Sequence, residues 1–552
     1  MFDFTKHVST RLRRQVTPQA EHIPGSTQIP NSAGGYAWAV DHWTRLDRSL
    51  VLGAEGGTFY VAERELTIEN ATAVVACLAE DGVRVVERAV EISETGRAPT
   101  NDPALFVLAM AAGLGDDATR AAALASLERV ARTGTHLFHW LRYVKAFRGW
   151  GRGVRTAVSR WYTQKSPHDL AYQLLKYQSR DGWAHRDALR LAHPKAPSSE
   201  HDALFRFATR GWEAVVGSDA LRNDVGARLE AMQAIRHMTA DEAARVIRVY
   251  KLTREMVPTE LLSRPIVWDA LLDGMPLTAL IRNLGVMTKI GLLVPGSEAT
   301  RTVVHRLGNA MSIRRARIHP LAVMAALKTY AQGSGMRGSN TWTPVPQVID
   351  ALDAMFYIAF RNVEPTNKRV LLALDVSGSM GAPLHGMPYL SCREASAAMA
   401  LVSAAVEPNH RIVAFTKGSY PSMWSRTHGS LYDTGLTPLS ISPRQRLDDV
   451  VQQIANIPFG GTDCALPMVE GLKHRWAVDT FVVYTDSETW AGEIHPAQAL
   501  RAYRERMGIA AKLIVVAMTS NGFTIADPDD AGMLDVVGFD TATPQVISDF
   551  AA

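Results

Sequence analysis

Four short runs in the last third of the chain are apolar through their interiors, with no polar alternation: Val370-Leu-Leu-Ala-Leu-Asp375, Arg411-Ile-Val-Ala-Phe415, Thr480-Phe-Val-Val-Tyr484 and Lys512-Leu-Ile-Val-Val-Ala517. A strand without a polar face has to be covered on both sides, which is the situation of a parallel strand inside an α/β sheet. The intervening stretches Ser391 to Val406, Arg446 to Ala455, Ala465 to Lys473 and Ala497 to Met507 read as helices. Strand and helix in alternation predict one sheet with helices on both faces.

The chain before about Asn362 follows a different rule. It reads as amphipathic helices joined by short loops, for example Asp117 to Arg132, Ala220 to His237, Ala240 to Tyr250 and Leu321 to Tyr330. Ser166-Pro167-His168-Asp169 sets a cap residue, a first-turn proline and a first-turn acid in the order of a helix start. Paired helices without strands suggest an α-solenoid, although no fixed repeat period is visible. The opening, roughly Pro18 to Tyr60, is rich in Gly, Pro, Ser and Asn, which suggests an irregular arm with a short hairpin. At 552 residues the chain is too long for one core, and the expected division is 1–362 (with the arm over about 1–60) and 363–552.

Several classes are excluded or disfavoured. No run of about 18 apolar residues is present to span a membrane, and the N-terminus lacks a signal-peptide core. Cys77, Cys392 and Cys464 are odd in number and far apart, so buried free thiols in a reducing cytoplasm are expected rather than disulfides or a cysteine zinc site.

Asp375-Val376-Ser377-Gly378-Ser379 stands where the first strand ends, which is the side of an open α/β sheet where ligands bind. A carboxylate and two hydroxyls at alternate positions can converge on one hard cation, and Mg²⁺, which keeps several waters, suits so few charged ligands. Gly460-Gly461-Thr462-Asp463 and Thr485-Asp486-Ser487 lie in later loops able to add oxygens. Asp-x-Ser-x-Ser, then Thr, then Asp, resembles the metal-ion-dependent adhesion site of von Willebrand factor A domains. The resemblance implies that Asp375, Ser377, Ser379, Thr462 and Asp486 hold a divalent cation, directly or through water, with one position open to an acidic protein ligand. A purely loop-stabilising role for the cation is the alternative. Phosphoryl transfer or hydrolysis needs further carboxylates or a positioned base, so the chain is expected not to be an enzyme; a metal-dependent protein-adhesion scaffold is the first alternative function and a metal-dependent ribonuclease the weaker one.

Charge is unevenly placed. From Glu364 onward there are 14 Lys+Arg against 20 Asp+Glu, and before it 45 against 35. Such asymmetry points to an anionic partner for the N-terminal part, nucleic acid first. Between Glu128 and Asp169 there is no acid, while Arg142, Lys145, Arg148, Arg152 and Arg155 stand among Trp140, Tyr143, Phe147, Trp150, Trp161 and Tyr162. Cations can neutralise phosphates and aromatic rings can stack on bases. Lys176 and Arg180 are four apart, and after Asp181-Gly182 the residues Arg186, Arg190 and His193 fall at helical spacing, followed by Lys195; together they suggest an RNA platform on two helix faces. His185 and His193 are equally readable as core or capping residues. A second acid-free stretch, Ala299 to Ile349, carries Arg301, Arg306, Arg314, Arg315, Arg317, Lys328 and Arg337, either as another nucleic-acid path or as ordinary solvated helix faces.

Five segments together resemble the family of the Ro autoantigen and its bacterial relatives, the TROVE-domain proteins: Gln28-Ile-Pro-Asn-Ser-Ala-Gly-Gly-Tyr36, Lys176 through Lys195, Val267-Trp-Asp-Ala-Leu-Leu272, Met275 through Leu284 and Thr519 through Asp530. The resemblance implies a multidomain fold, a ring of HEAT-like helical repeats closed beside a von Willebrand-type domain. It implies a Y-type noncoding RNA on the outer surface, the single-stranded 3′ end of misfolded RNA in a central hole, and work with an exoribonuclease. It implies also that Lys176, Arg180 and His193 contact the Y-type RNA. A cytoplasmic monomer without membrane contact is expected.

Overall fold

The structure is a computed structural model and describes residues 16–53, 71–98, 100–316, 318–335, 340–358, 365–384, 387–417, 435–442, 445–457, 460–519, 521–537 and 543–551. The C-terminal part is built on a six-stranded sheet in the order Met533–Val537, Lys512–Ala517, Thr480–Thr485, Val370–Asp375, His410–Phe415, Leu436–Leu439; all neighbours are parallel except the last pair. The absence of polar alternation is explained directly. Leu372, Leu374, Ile412, Ala414, Val482, Tyr484, Ile514 and Val516 enter one core beneath the helix Cys392–Val406, while Leu371, Ala373, Val413, Phe415, Phe481, Val483, Leu513 and Val515 enter another beneath the helices Leu466–Lys473 and Pro496–Met507. The two edge strands, Leu436–Leu439 and Met533–Val537, are additions to the expected four.

The N-terminal part is helical from His42–Leu52 to Pro346–Ile358, broken only by a hairpin of two-residue strands and an isolated bridge between Ser334 and Thr341 among the described residues. Ala240–Tyr250 has its expected bounds, and Ser166 caps Pro167–Lys176 by accepting the Asp169 amide at 3.1 Å. The stretch expected as one helix from Asp117 to Arg132 is two, Asp117–Ala125 and Leu127–Val130, joined at Ser126. Ala220 to His237 is a helix over Asp224–Ala234 with 3₁₀ turns on either side.

Both ends of this helical array dock on the C-terminal part. At the start, Arg48 is fully buried and pairs with Asp535 at 2.7 Å. At the far end, Arg446 bridges to Asp350, the Leu447 amide donates to Asp353 at 2.9 Å, and Lys328 pairs with Glu394. The array therefore closes into a HEAT-like ring through the α/β domain, and the core on one side of the sheet is continuous with the helical core. The N-terminal arm forms the expected hairpin, Gln28–Pro30 with Tyr36–Ala39, and adds Phe523–Thr524 as a third strand; the stretch expected to continue irregularly to Tyr60 is instead helical over His42–Leu52, and its part after residue 53 lies outside the described residues. Cys77, Cys392 and Cys464 are free and buried. Among the described residues no helix is long and apolar enough to cross a membrane.

Candidate functional sites

Strand order reverses beside Val370–Asp375: the chain first builds toward His410–Phe415, then returns to the other side with Thr480–Thr485. A crevice at the carboxyl ends of the strands belongs at such a switch point. Asp375, Ser377, Ser379, Thr462 and Asp486 all lie there, each at most 1% exposed. Asp375 Oδ1 accepts the Ser377 amide at 2.8 Å and Oδ2 accepts the Thr485 hydroxyl at 2.7 Å. The Ser377 and Ser379 hydroxyls are 3.1 Å apart, and Ser379 faces Asp486. The Gly378 amide donates to the Gly460 carbonyl at 3.3 Å, tying the first loop to the second.

Burial raises the pKa of both carboxyls. The charge of Asp375 raises Asp486 further, while hydrogen bonds and the Arg393 guanidinium draw Asp375 back down. Thr462 Oγ1 and Asp486 Oδ2 are buried with no hydrogen-bond partner. Buried polar atoms without partners are costly, and two like charges together more so. A hard divalent cation would satisfy both, so this oxygen set fits one. No cluster of three His, Cys, Asp or Glu suited to a metal occurs among the described residues, so any cation here relies on hydroxyls. Arg393 and Glu488 were not singled out from the sequence, and Thr485 entered only as the neighbour of Asp486; nothing in the sequence separates Glu488, two residues past Asp486, from an ordinary loop residue.

The basic residues divide. Arg142, Lys145, Arg148, Arg152 and Arg155 are all exposed: the first two on the helix Gly134–Phe147, Arg148 at its C-cap, and the last two at the start of Arg152–Thr163. Arg180, Arg186, Arg190, His193 and Lys195 are exposed too, and Lys176 is half-buried with its Nζ 2.7 Å from the Tyr172 hydroxyl. Two contacts make one face of the two stretches. Arg142 and Arg180 share Asp181, at 3.4 and 4.0 Å, and the Trp150 Nε1 donates to the Leu191 carbonyl at 3.1 Å. Lys145, Arg148, Arg152, Arg155 and Lys195 have no carboxylate at ion-pair distance among the described residues, whereas Arg186 lies 3.6 Å from Asp187.

Three expectations need correction. Lys176 and Arg180 do not share a helix face: the helix ends at Lys176, and Arg180 sits in a hairpin, Ser179–Arg180 with Trp183–Ala184. His193 is not on the helix His185–Ala192 with Arg186 and Arg190 but caps it in a left-handed conformation. Trp140, Trp161, Tyr162 and Tyr143 are core residues, whereas Phe147 and the stacked pair Trp150 and Trp183 are half-buried and keep part of their surface accessible. In the second acid-free stretch Arg301 and Arg306 bond backbone carbonyls and Lys328 bonds Glu394; Arg314 and Arg315 are exposed, and Arg317 and Arg337 lie outside the described residues. His185 is a core residue: its Nε2–H donates to the Gln173 carbonyl at 3.2 Å, its Nδ1 accepts from the Tyr162 hydroxyl at 2.7 Å, and burial pushes its pKa down to about 4.

Comparison with known proteins accords with this arrangement. The TROVE domain family model matches residues 29–329 and the Ro60 vWA domain model residues 369–551. The chain is 42% identical to the RNA-binding protein RO60 of Deinococcus radiodurans, over 97% of both chains. It is 35% identical to the RNA-binding protein RO60 of Caenorhabditis elegans, over 97% of this chain and 92% of that one. The crystal structure of the Deinococcus radiodurans RO (RSR) protein superposes with a TM-score of 0.68 at 42% identity, covering 93% of this chain and 99% of that chain. With both domains matched over nearly its whole length, the chain belongs to the Ro60 family of TROVE-domain proteins.

Proposed function

We propose that the chain binds RNA on the basic face of its helical ring and binds without cleaving it. The observation that carries the reading is the joining of two separate basic stretches into one face with five unpaired exposed cations among the described residues. The relatives named as RNA-binding proteins support it. Lys176, Arg180, Arg186, Arg190, His193 and Lys195, with Arg142, Lys145, Arg148, Arg152 and Arg155, are the residues assigned to RNA. Phosphate neutralisation supplies most of the affinity, and shape rather than base sequence selects the target. In this reading a Y-type noncoding RNA occupies the outer surface, the single-stranded 3′ end of misfolded RNA enters the central hole, and an exoribonuclease partner acts on what is held, with the protein a cytoplasmic monomer.

Asp375, Ser377, Ser379, Thr462 and Asp486 are assigned to one divalent cation, Mg²⁺ by its donor set. When bound, the cation supplies an open coordination position for an acidic protein ligand. A single cation beside neutral hydroxyls lacks the second metal or base that RNA cleavage requires.

The test is a gel shift with structured RNA. Lys176→Ala with Arg180→Ala and His193→Ala should weaken binding at least tenfold in a folded protein. Unchanged affinity removes this surface. Asp375→Ala should leave RNA affinity unaltered. Cleavage product that accumulates with Mg²⁺ and disappears in Asp375→Ala would establish an enzyme instead.

A further inference from the structure

The segment Gln28 to Tyr36 and nearby Gln19 reach by hydrogen bonds to the loops that carry Thr462 and Asp486. Gln19 is fully buried. Its Nε2 donates to Asp463 Oδ1 and to the Ile494 carbonyl, both at 2.8 Å, and its Oε1 accepts from the Thr489 hydroxyl and the Gly492 amide. Asn31 Nδ2 donates to the Thr489 carbonyl at 2.7 Å, while its Oδ1 accepts the Ala33 and Gly35 amides at 3.1 and 2.8 Å. The Ser32 and Ala33 amides both donate to Glu488 Oε2, at 2.9 and 3.2 Å. Gly35 lies so close that a Cβ there would stand 1.9 Å from the Thr489 carbonyl oxygen, so no other residue fits without moving that loop. From the opposite side Asn521 Nδ2 donates to the Asp486 carbonyl, and Asn521 itself accepts from the buried Arg48 at 3.0 Å.

We propose that Gln19, Asn31 and Asn521 are positioning residues of the cation site, so that cation binding and docking of the N-terminal arm form one linked equilibrium. The inference rests on the cation reading of the preceding section. The physical reason is that four of the five assigned residues lie outside the strands, Ser379 in the short 3₁₀ turn Gly378–Gly381 and the others in loops, and neutral hydroxyls bind weakly unless those segments are held in advance. Residues that orient ligands in this way typically control 10–100-fold in metal affinity. Linkage requires the converse: whatever affinity the docked arm adds, the bound cation returns as arm stability.

The experiment titrates full-length protein with Mn²⁺, following free Mn²⁺ by electron paramagnetic resonance, in the unaltered protein and in Gln19→Ala, Asn31→Ala and Asp375→Ala. In parallel, hydrogen exchange is measured on the unaltered protein with and without Mn²⁺. One Mn²⁺ should bind, Asp375→Ala should abolish binding, and each arm variant should weaken it about 10–100-fold. Mn²⁺ should slow exchange of the amides of residues 31–36, and should fail to do so in Asp375→Ala. Binding by the unaltered protein with equal affinity in folded arm variants, or with arm exchange unaffected by Mn²⁺, overturns the positioning role and leaves the cation reading standing. No Mn²⁺ binding by the unaltered protein overturns both.

Discussion

Asp486 presents one carboxylate oxygen to the Glu488 amide at 3.1 Å and leaves the other, buried, without a partner. Burial and the nearby Asp375 both oppose its ionisation, so at neutral pH the cation-free site is a locus of electrostatic strain. Asp486→Asn should therefore stabilise the cation-free protein, on the order of 1 kcal/mol. It should also remove any rise in Tm on adding Mg²⁺. Thermal unfolding with and without Mg²⁺ checks both effects; a Tm lowered in the absence of cation contradicts this account of the site. The histidines give the pH dependence. Burial pushes His185 and His136 each down to about 4 from an ordinary 6.5. The unfolded chain then binds protons that the fold rejects, so this stability is complete above about pH 6.5 and is lost as pH falls toward 4. Exchange protection in the helix Gly134–Phe147 should fall across that window, and His185→Gln should flatten the dependence. An unchanged slope in that variant removes His185 from the explanation.

At the scale of elements, the α/β domain was legible because each of its buried strands is a continuous apolar run, and the four expected strands stand within one residue of their predicted ends. Leu436–Leu439 and Met533–Val537 escaped because edge strands need only one apolar face and these carry Thr437 and Asp535. The residues assigned to a cation were readable because Asp375 and Asp486 stand at or just past strand ends with Ser377 and Ser379 following the first, while Thr462 stands in the loop before the helix Leu466–Lys473. The basic face was readable in composition but not in geometry: nothing local shows that Trp150 reaches the Leu191 carbonyl. Asp181-Gly182 was read only as a break. Both residues have positive φ, 53° and 76°, which is the two-residue turn that Asp-Gly favours, and strands of two residues give no periodic signal. That turn sets Arg180 opposite Trp183. Gly182→Ala meets no atom within 4 Å, so its cost is backbone alone, roughly 1–2 kcal/mol. It should loosen the hairpin and weaken RNA binding severalfold without global unfolding. Full affinity in a gel shift would show that the hairpin does not present Arg180 to RNA.

For the whole molecule, ring closure depends on where the first helix meets the sheet. Arg48 pairs with Asp535 and also donates to the Asn521 and Phe523 carbonyls, both at 2.8 Å. Arg48→Ala strands a largely buried carboxylate and two carbonyls, at a cost of roughly 3–5 kcal/mol. The variant should open the ring at this junction, seen as a larger radius of gyration by small-angle scattering together with a lower Tm; an unaltered radius and Tm would mean that closure is carried elsewhere. Closure bears on the proposed RNA binding because it fixes the curvature of the surface on which Arg148, Arg152 and Arg155 stand. The most direct measurement of that face is the salt dependence of RNA affinity. For the unaltered protein, the logarithm of the association constant should fall steeply and linearly with the logarithm of salt concentration. Arg148→Ala, Arg152→Ala and Arg155→Ala combined should make that slope shallower by roughly 2–3. A slope near zero in the unaltered protein, or one left the same by removing all three arginines, would contradict the claim that this surface holds RNA by its phosphates.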